Sequence, residues 1–337
     1  MPERSKAQRP TQRTIAEQAG ISVGAVSRAL ADDPLIAEGT RALVRKIAEE
    51  IGYTPDRAAQ RLRTGRTHVI SLILPPHDEI FGFGTSMIRG ISTALDGTPY
   101  HLVAMPDFGR GESEATIRRV VRDSLADGII FSRTEPDDPR IRFLLEEDFP
   151  FVSHGRSELA TPHPYVDYDN FEFARRAAKR LVAIGAQHLA ILLPPRRFMF
   201  SHHLLHGFMT TVRENGVRHE ILDNATLVSP PDTIKDAIAR RYAEPDPPDA
   251  LVLPGDMAGL AALAAIQDLG LVPGREVHLI VKQASGMFGL VRPRVESLYE
   301  DLGAAGEKLA ALLLRRINGE PAAALQFVQP VAETPVS

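Results

Sequence analysis

The sequence contains no cysteine and no tryptophan among its 337 residues. Without cysteine, disulfides, cysteine-ligated metals and a cysteine nucleophile are excluded. Without tryptophan, stacking of an indole on a bound sugar ring is excluded. No run of about eighteen apolar residues occurs, so no transmembrane helix is expected. The polar N-terminus lacks the apolar core of a signal peptide, and we expect a cytoplasmic protein without membrane contact.

Motifs of nucleotide-dependent enzymes are also missing. No G-x-G-x-x-G follows a predicted strand, and no G-x-x-x-x-G-K-[ST] occurs. Residues 20–24 match the G-x-S-x-G nucleophile elbow, but that motif needs a strand before the serine, and a helix is predicted here. His202 and His206 have i,i+4 spacing without a nearby carboxylate, which does not suffice for a metal. We therefore expect no enzyme, no cofactor and no metal site.

The charges are unevenly distributed along the chain. Residues 1–68 hold twelve Lys and Arg against eight Asp and Glu, whereas the remainder holds 27 against 35. The N-terminal part is thus basic and the rest acidic, which favours contact of the N-terminal part alone with a polyanion.

Residues 11–30, TQRTIAEQAGISVGAVSRAL, predict two short helices joined by a tight turn. Gly20 suits the turn because glycine accepts positive φ, and Ser22 suits the N-cap of the second helix. Helical spacing of the apolar residues places Val23, Gly24 and Arg28 on the exposed face. Such a helix fits the DNA major groove, where arginine binds guanine bidentately. A helical hairpin inside an α-rich domain is the alternative.

Two further segments complete the N-terminal part. Residues 40–51 predict a third helix, with Leu43, Val44, Ile47 and Ile51 on its apolar face. Residues 55–66 form a basic segment too short for a stable isolated helix, so we expect it to be disordered until a partner holds it. Leu62 in this segment suits either an apolar wedge for the minor groove or a linker residue that packs on the next domain.

From His68 onward, short apolar strands alternate with helices, which predicts βαβ units and parallel sheets. The alternation restarts after residues 166–170, and a last helix at 302–317 precedes a strand at 325–328. Two open sheets predict two lobes, with ligands bound in the cleft at the carboxyl ends of the strands.

The chain closely resembles the lactose-repressor (LacI/GalR) family of bacterial transcription regulators over essentially its whole length. The resemblance rests on IAEQAGISVGAVSRAL, TRALVRKIAEEIGYTPDRAAQRLRTGRT, VISLILP, Asp169-Asn170 and LPGDMAGLAALAAIQDLGLVPGREVHLI. It implies an α/β protein with an N-terminal three-helix helix-turn-helix domain (1–54), a hinge helix (55–66), a two-lobed periplasmic-binding-protein-like body (67–330) and a tail (331–337). The body would hold two doubly wound parallel sheets, in subdomains formed by 67–168 with 299–322 and by 169–298 with 323–330.

The resemblance also implies which residues contact double-stranded DNA. Arg28 is the residue expected to contact a base, and Leu62 matches the family's minor-groove lever. A homodimer on a pseudo-palindromic operator is expected, since no leucine heptad follows the body. The implied DNA-binding residues are Thr11, Ser22, Val23, Gly24, Ala25, Ser27, Arg28, Arg57, Ala59, Arg61 and Leu62.

By family position, the cleft binds a small-molecule effector, a sugar or sugar derivative, through Phe83, His154, Asp169, Arg197, His203, Lys282 and Gln283. Asp256 also falls there, but its position favours a role as a helix N-cap. Lys282-Gln283 stands where many relatives carry an acidic residue that binds sugar hydroxyls. The departure indicates a different hydroxyl pattern, an anionic effector such as a sugar acid or phosphorylated sugar, or a mere surface charge on Lys282.

The predicted function is a repressor whose operator affinity is changed by the effector. Two alternatives are a regulator that responds to a protein co-regulator and a sugar-binding transport component. The basic N-terminal part and the missing signal peptide disfavour the transport component.

Overall fold

The computed structural model describes residues 10–54, 65–75, 80, 82–107 and 113–333. The chain divides into two compact units between Thr67 and His68. Within the described ranges, no helix has both the length and the apolar character needed to cross a membrane.

The first unit contains three helices, α1 (Gln12–Ala19), α2 (Val23–Leu30) and α3 (Glu38–Glu50). Gly20 ends α1 in the left-handed conformation, with φ of 66°. Apolar side chains from all three helices meet in one small core, which includes Ile15, Val26 and Val44. The third helix begins two residues earlier than predicted. Leu43, predicted on its apolar face, is instead 46% exposed, because the helix turns this position away from the core.

The second unit contains two parallel sheets, and each is covered by helices on both faces. The first sheet has six strands in the order β11-β5-β4-β3-β1-β2. Its elements are β1 (Val69–Leu74), α4 (Phe83–Leu95), β2 (His101–Pro106), α5 (Ser113–Arg122), β3 (Gly128–Ser132), α6 (Pro139–Glu146), β4 (Phe151–His154), β5 (Tyr165–Tyr168), α11 (Leu302–Ile317) and β11 (Gln326–Gln329).

The second sheet has five strands in the order β10-β9-β8-β6-β7. Its elements are α7 (Asn170–Ala183), β6 (His188–Leu192), α8 (Met199–Glu214), β7 (Arg218–Leu222), α9 (Pro231–Ala243), β8 (Ala250–Leu253), α10 (Asp256–Asp268), β9 (His278–Gln283) and β10 (Glu296–Tyr299). Residues on both faces of its central strands are fully buried, as parallel sheets require.

The chain passes between the two lobes at three places: after β5, after β10 and after β11. The predicted assignment of residues 323–330 to the second lobe is wrong in part. Strand β11 pairs in parallel with β5, with Gln326 opposite Tyr165, and therefore belongs to the first sheet. Only beyond it does the chain reach the second lobe, where Val331 joins the core and Ala332 bridges Tyr299. Without β11, one edge of β5 would have no neighbouring strand. The sequence alone does not show which strand pairs with this edge.

Three strands were not recognised in the sequence: β5, β7 and β10. Strand β7, RHEIL, and strand β10, ESLY, lie at the two edges of the second sheet and are partly exposed. Edge strands carry polar residues because one side of the ladder faces solvent, so they lack the continuous apolar run of a central strand.

Helices α7 and α8 pack closely through Gly207. A Cβ added to this glycine would lie 2.0 Å from the carbonyl oxygen of Phe171, which is impossible without a backbone shift. The glycine thus sets the separation of these helices, and α8 presents its N-terminus to the space between the lobes.

Candidate nucleic-acid interface and ligand cavity

The exposed face of α2 is built as the sequence predicts. Val23, Gly24 and Arg28 are exposed, whereas Val26 and Ala29 on the opposite face are fully buried. Burial of one face fixes the helix on the core and leaves the guanidinium of Arg28 directed outward. The helix therefore offers one cation and two small or apolar side chains to a partner.

The hydroxyl groups near this face also hold the helices in place. Ser22 Oγ accepts a hydrogen bond of 3.2 Å from the backbone N–H of Ala25 and caps α2. Thr11 caps α1 through a capping box with Thr14. The Ser22 hydroxyl keeps a hydrogen that can be donated to a phosphate. Ser27 and Ala25 are partly exposed on the same helix.

Four residues of the predicted DNA-binding set, Arg57, Ala59, Arg61 and Leu62, lie outside the described residues. The roles given to them, the minor-groove wedge included, stay predictions.

A cavity of about 490 Å³ lies between the two lobes of the second unit. Side chains from the carboxyl ends of strands in both sheets line it, together with the connections that cross between the lobes. Its lining consists of Ile80, Phe83, Ser132, Arg133, Thr134, His154, Gly155, Arg156, Asp167, Tyr168, Asn170, Met199, Phe200, Lys282 and Glu300. The mixed polar and apolar lining is that of a small-molecule site.

One wall of the cavity holds a buried ion pair. Lys282 Nζ lies 2.6 Å from Glu300 Oε2, and the two side chains are 5% and 3% exposed. The ammonium also donates to Asn170 Oδ1 at 3.1 Å and lies 4.9 Å from the ring centroid of Tyr168. Lys282 is therefore a buried, neutralised cation, and the interpretation as a surface charge is wrong.

A second, partly buried pair lies at the end of β5. Arg156 Nε donates to Asp167 Oδ2 at 2.7 Å, and His203 Nδ1 lies 3.8 Å from the same oxygen. Burial raises the pKa of Asp167 to about 6, although the neighbouring Arg156 opposes the shift. Burial, assisted by Arg156, lowers the pKa of His203 to about 4, so its ring is neutral at pH 7.

His154 faces the first ion pair. Its Nε2 lies 3.8 Å from Glu300 Oε1, which is too long for a hydrogen bond, and it has no hydrogen-bond partner within the described residues. Burial lowers the pKa of the ring, so it is uncharged and offers one donor and one acceptor nitrogen. The ring of Phe83 meets it edge-on, with centroids 5.8 Å apart.

Comparisons with known proteins agree with both parts of the chain. The family model described as bacterial regulatory proteins, lacI family, matches residues 11–56, and the model of a periplasmic binding protein-like domain matches residues 178–334. The HTH-type transcriptional regulator AglR of Rhizobium meliloti is 31% identical over 313 residues, which cover 89% of this chain and 86% of AglR. This chain belongs to the LacI family of bacterial regulatory proteins. It is a DNA-binding regulator of transcription and not an enzyme.

Other relatives span both units of this LacI-family chain. The regulator RafR of Escherichia coli is 29% identical, with 94% of each chain covered. The structure of the lac repressor dimer bound to operator and the anti-inducer ONPF superposes with a TM-score of 0.80 at 19% identity, covering 98% of this chain and all of that one. The CelR–cellobiose complex gives a TM-score of 0.68 at 24% identity, with 96% and 98% covered. At these identities the two structures establish the shared fold.

The effector residues transferred from the family resemblance separate into two groups. Phe83, His154 and Lys282 line the cavity, whereas Asp169, Arg197, His203 and Gln283 are not among its lining residues. His203 nevertheless lies behind Asp167, which does line it. Arg197 lies on the loop before α8, where a shift of one or two residues changes the surface on which a side chain lies.

The residues outside the lining have structural partners. Asp169 caps α7 by accepting from the N–H of Glu172 at 3.0 Å. Gln283 Nε2 donates to Ser297 Oγ at 2.6 Å, within the second sheet. Arg197 lies 3.8 Å from Glu135 on the surface.

The predicted N-cap role of Asp256 is wrong. Gly255 occupies the N-cap of α10, and Asp256 is the first residue of the helix. Its fully buried carboxylate accepts instead from the Ser285 hydroxyl at 2.9 Å and from the N–H of Ala284.

Four charged residues of the cavity were not predicted from the sequence: Arg133, Arg156, Asp167 and Glu300. All four lie at or just beyond the carboxyl end of a strand. Asp167 lies in β5 and Glu300 directly follows β10, two short strands that were not predicted. Had these strands been recognised, the rule that ligands bind at carboxyl ends would have pointed to both carboxylates.

Proposed function

We propose that this chain is a homodimeric repressor in the cytoplasm, and that an uncharged saccharide bound in the cavity changes its affinity for a pseudo-palindromic operator. The DNA-binding surface would be the exposed face of α2, with Arg28 as the base contact. The observation that carries the effector assignment is the gap between His154 and Glu300.

A hydroxyl group placed beside these two atoms can bond to both. His154 Nε2 and Glu300 Oε1 are 3.8 Å apart, and Nε2 has no hydrogen-bond partner within the described residues. An oxygen that lies off the line between them can be within hydrogen-bond distance of each. Leaving a buried polar atom unsatisfied is costly, so a ligand that satisfies it binds favourably. A hydroxyl can donate to the carboxylate and hydrogen-bond to the imidazole at the same time.

Two of the three cations that line the cavity, Lys282 and Arg156, are paired with carboxylates, which favours an uncharged ligand beside them over a sugar acid or phosphate. The third, Arg133, lies at the Phe198 ring. Lys282 is paired with Glu300 and Arg156 with Asp167, at 2.6 and 2.7 Å. An anionic group placed near either cation would meet the paired carboxylate as well, which is unfavourable in a poorly solvated site. Hydroxyl groups, in contrast, can hydrogen-bond to paired carboxylates without separating the pairs.

The likeness to known regulators supports this assignment. The CelR structure that superposes on this chain is a complex with cellobiose. A neutral saccharide in the same fold is consistent with hydroxyl recognition by buried polar groups.

Thermal unfolding of the full-length protein tests the effector class. Neutral mono- and disaccharides, including cellobiose and maltose, would be compared with gluconate and glucose 6-phosphate. A saccharide at 100 times its dissociation constant stabilises the folded state by about 2.7 kcal/mol, which shifts the unfolding midpoint measurably. We expect a shift with a neutral saccharide and none with the anions.

Two histidine variants test whether the shift of the unfolding midpoint comes from binding in the cavity. His154→Ala is expected to abolish the shift, whereas His206→Ala, at an exposed position outside the cavity, is expected to preserve it. Stabilisation by the anionic sugars alone would contradict the proposal, as would a neutral-sugar shift that survives in His154→Ala.

A further inference from the structure

Two loops from opposite lobes meet at one wall of the cavity. The N–H of Met199, in the second lobe, donates a hydrogen bond of 2.8 Å to the carbonyl oxygen of Thr134, in the first lobe. Arg133 and Phe198 lie beside this bond, with the guanidinium carbon 5.6 Å from the ring centroid.

A third contact links the same loops at the surface. Arg197 Nε lies 3.8 Å from Glu135 Oε1, and the side chains are 66% and 40% exposed. Three consecutive residues of each loop, 133–135 and 197–199, thus face one another through a hydrogen bond, a cation–π contact and an ion pair.

The first-lobe loop is held rigidly by Asp138. Its fully buried carboxylate accepts from the N–H of Glu135 at 3.0 Å and pairs with Arg140 at 2.7 Å. Arg140 in turn donates to the carbonyl of Arg133 at 2.9 Å. These bonds on both sides of Thr134 fix the direction of its carbonyl, which remains an acceptor for the other lobe.

The second-lobe partner is a helix terminus. Met199 is the first residue of α8, and Phe198 is its N-cap without a side-chain hydrogen bond. The first N–H groups of a helix have no partner within the helix. The Met199 N–H therefore donates to a protein acceptor while the loops are in contact, and it must hydrogen-bond to water when they separate.

We propose that residues 133–135 and 197–199 form an interlobe clasp that holds the cavity closed, and that the lobes separate at this clasp. Arg133, Thr134 and Met199 line the cavity on the clasp side, whereas Tyr168, Asn170 and Glu300 line it where the chain crosses between lobes. At the crossings the lobes are joined by the continuous chain, so they cannot separate there. Separation of the lobes therefore opens the cavity at the clasp, with the crossings as hinges.

The hydrogen bond can be removed without altering the helix. Proline is favoured at the first position of a helix and has no N–H, so Met199→Pro deletes the donor. Phe198 already has φ of −84° and ψ of 136°, the extended conformation that a residue before proline requires. Met199→Ala is the matched control, because it also truncates the side chain but keeps the N–H.

The distance between the lobes can be measured by electron spin resonance. The chain has no cysteine, so Glu147→Cys in the first lobe and Glu214→Cys in the second give the only two sites for nitroxide labels. Both residues are exposed. One ordinary hydrogen bond shifts an equilibrium by about 2- to 13-fold. We expect Met199→Pro to raise the ratio of long to short distances by that factor relative to Met199→Ala, without added ligand.

A charge reversal provides an independent test on exposed residues. Arg197→Glu places two carboxylates together and is expected to raise the long-distance population about twofold, and adding Glu135→Arg is expected to restore it. Identical distance distributions for Met199→Pro and Met199→Ala would overturn the clasp. Should Met199→Pro fail to fold, an Arg197→Glu distribution equal to that of the parent protein would overturn it instead.

Discussion

The ion pair between Lys282 and Glu300 allows a quantitative test of the cavity. Both side chains are at least 95% buried, and their charged atoms are 2.6 Å apart. Replacing Lys282 with methionine leaves a buried carboxylate without its cation. Breaking a buried pair in this way costs about 3–5 kcal/mol, because the desolvation of the remaining charge is no longer compensated.

The double variant separates the pair energy from the packing. Lys282→Met with Glu300→Gln removes both charges while keeping similar volumes, and such replacements are often neutral in stability. We therefore expect the double variant to lie within about 1–2 kcal/mol of the parent protein. The two single losses would then fail to add, with a coupling of several kcal/mol between the sites.

The assay is urea denaturation followed by far-ultraviolet circular dichroism, since the protein has no tryptophan to report by fluorescence. Lys179→Met, at an exposed position on α7, serves as the control and should change the free energy of unfolding by no more than about 0.5 kcal/mol. A loss below about 1 kcal/mol for Lys282→Met would refute the reasoning. So would a double variant whose loss equals the sum of the single losses.

Three further predictions concern the DNA-binding face, helix packing and pH. Arg28→Ala is expected to weaken operator binding by about 1–3 kcal/mol and to relax the preference at one base pair, and unchanged preference in competition gel shifts would contradict the base contact. Gly207→Ala is expected to destabilise the protein strongly in thermal unfolding, since the new Cβ would lie 2.0 Å from a carbonyl oxygen of α7. Gly39→Ala, in the first turn of α3 with open space around it, should change the free energy of unfolding by no more than about 0.5 kcal/mol. Equal effects would refute the packing argument. Between about pH 6 and 4, acidification should lower the free energy of unfolding of Asp167→Asn more than that of the parent protein, because Asp167, with a folded pKa of about 6, gains protons on folding and the variant lacks this contribution. It should lower that of His203→Gln less than that of the parent, because His203, with a folded pKa of about 4, loses protons on folding. Slopes that change in the same direction for both variants, relative to the parent, in urea titrations at several pH values would contradict the two shifts.

Most features of the helix-turn-helix unit could be predicted from the sequence. The spacing of Ile15, Val26 and Ala29 determines which faces are buried, and Gly20 and Ser22 supply the turn and the cap. These features depend on residues within a few turns of one another, so local rules suffice. Leu43 departs from the pattern because an apolar residue at the border of a helix's apolar face can be either buried or exposed.

Only part of the cavity lining could be predicted from the sequence. Phe83, His154 and Lys282 were correctly placed at its lining by family position. Arg197, on a loop before a helix, was not, because a shift of one or two residues in such a loop changes the surface on which a side chain lies. Glu300 was missed because β10 is a short edge strand without an apolar run.

The sequence by itself determined the order of the helices and of the apolar strands, the exposed face of α2 and the presence of two parallel sheets. These follow from periodicity and local chemistry, which act over a few residues. Only the tertiary structure decided that Lys282 is neutralised by Glu300, that β11 pairs with β5, and that the Met199 N–H meets the Thr134 carbonyl. Each of these contacts joins residues far apart in the chain, and hydrogen bonds and ion pairs depend on distances of a few ångströms that only the packed fold fixes.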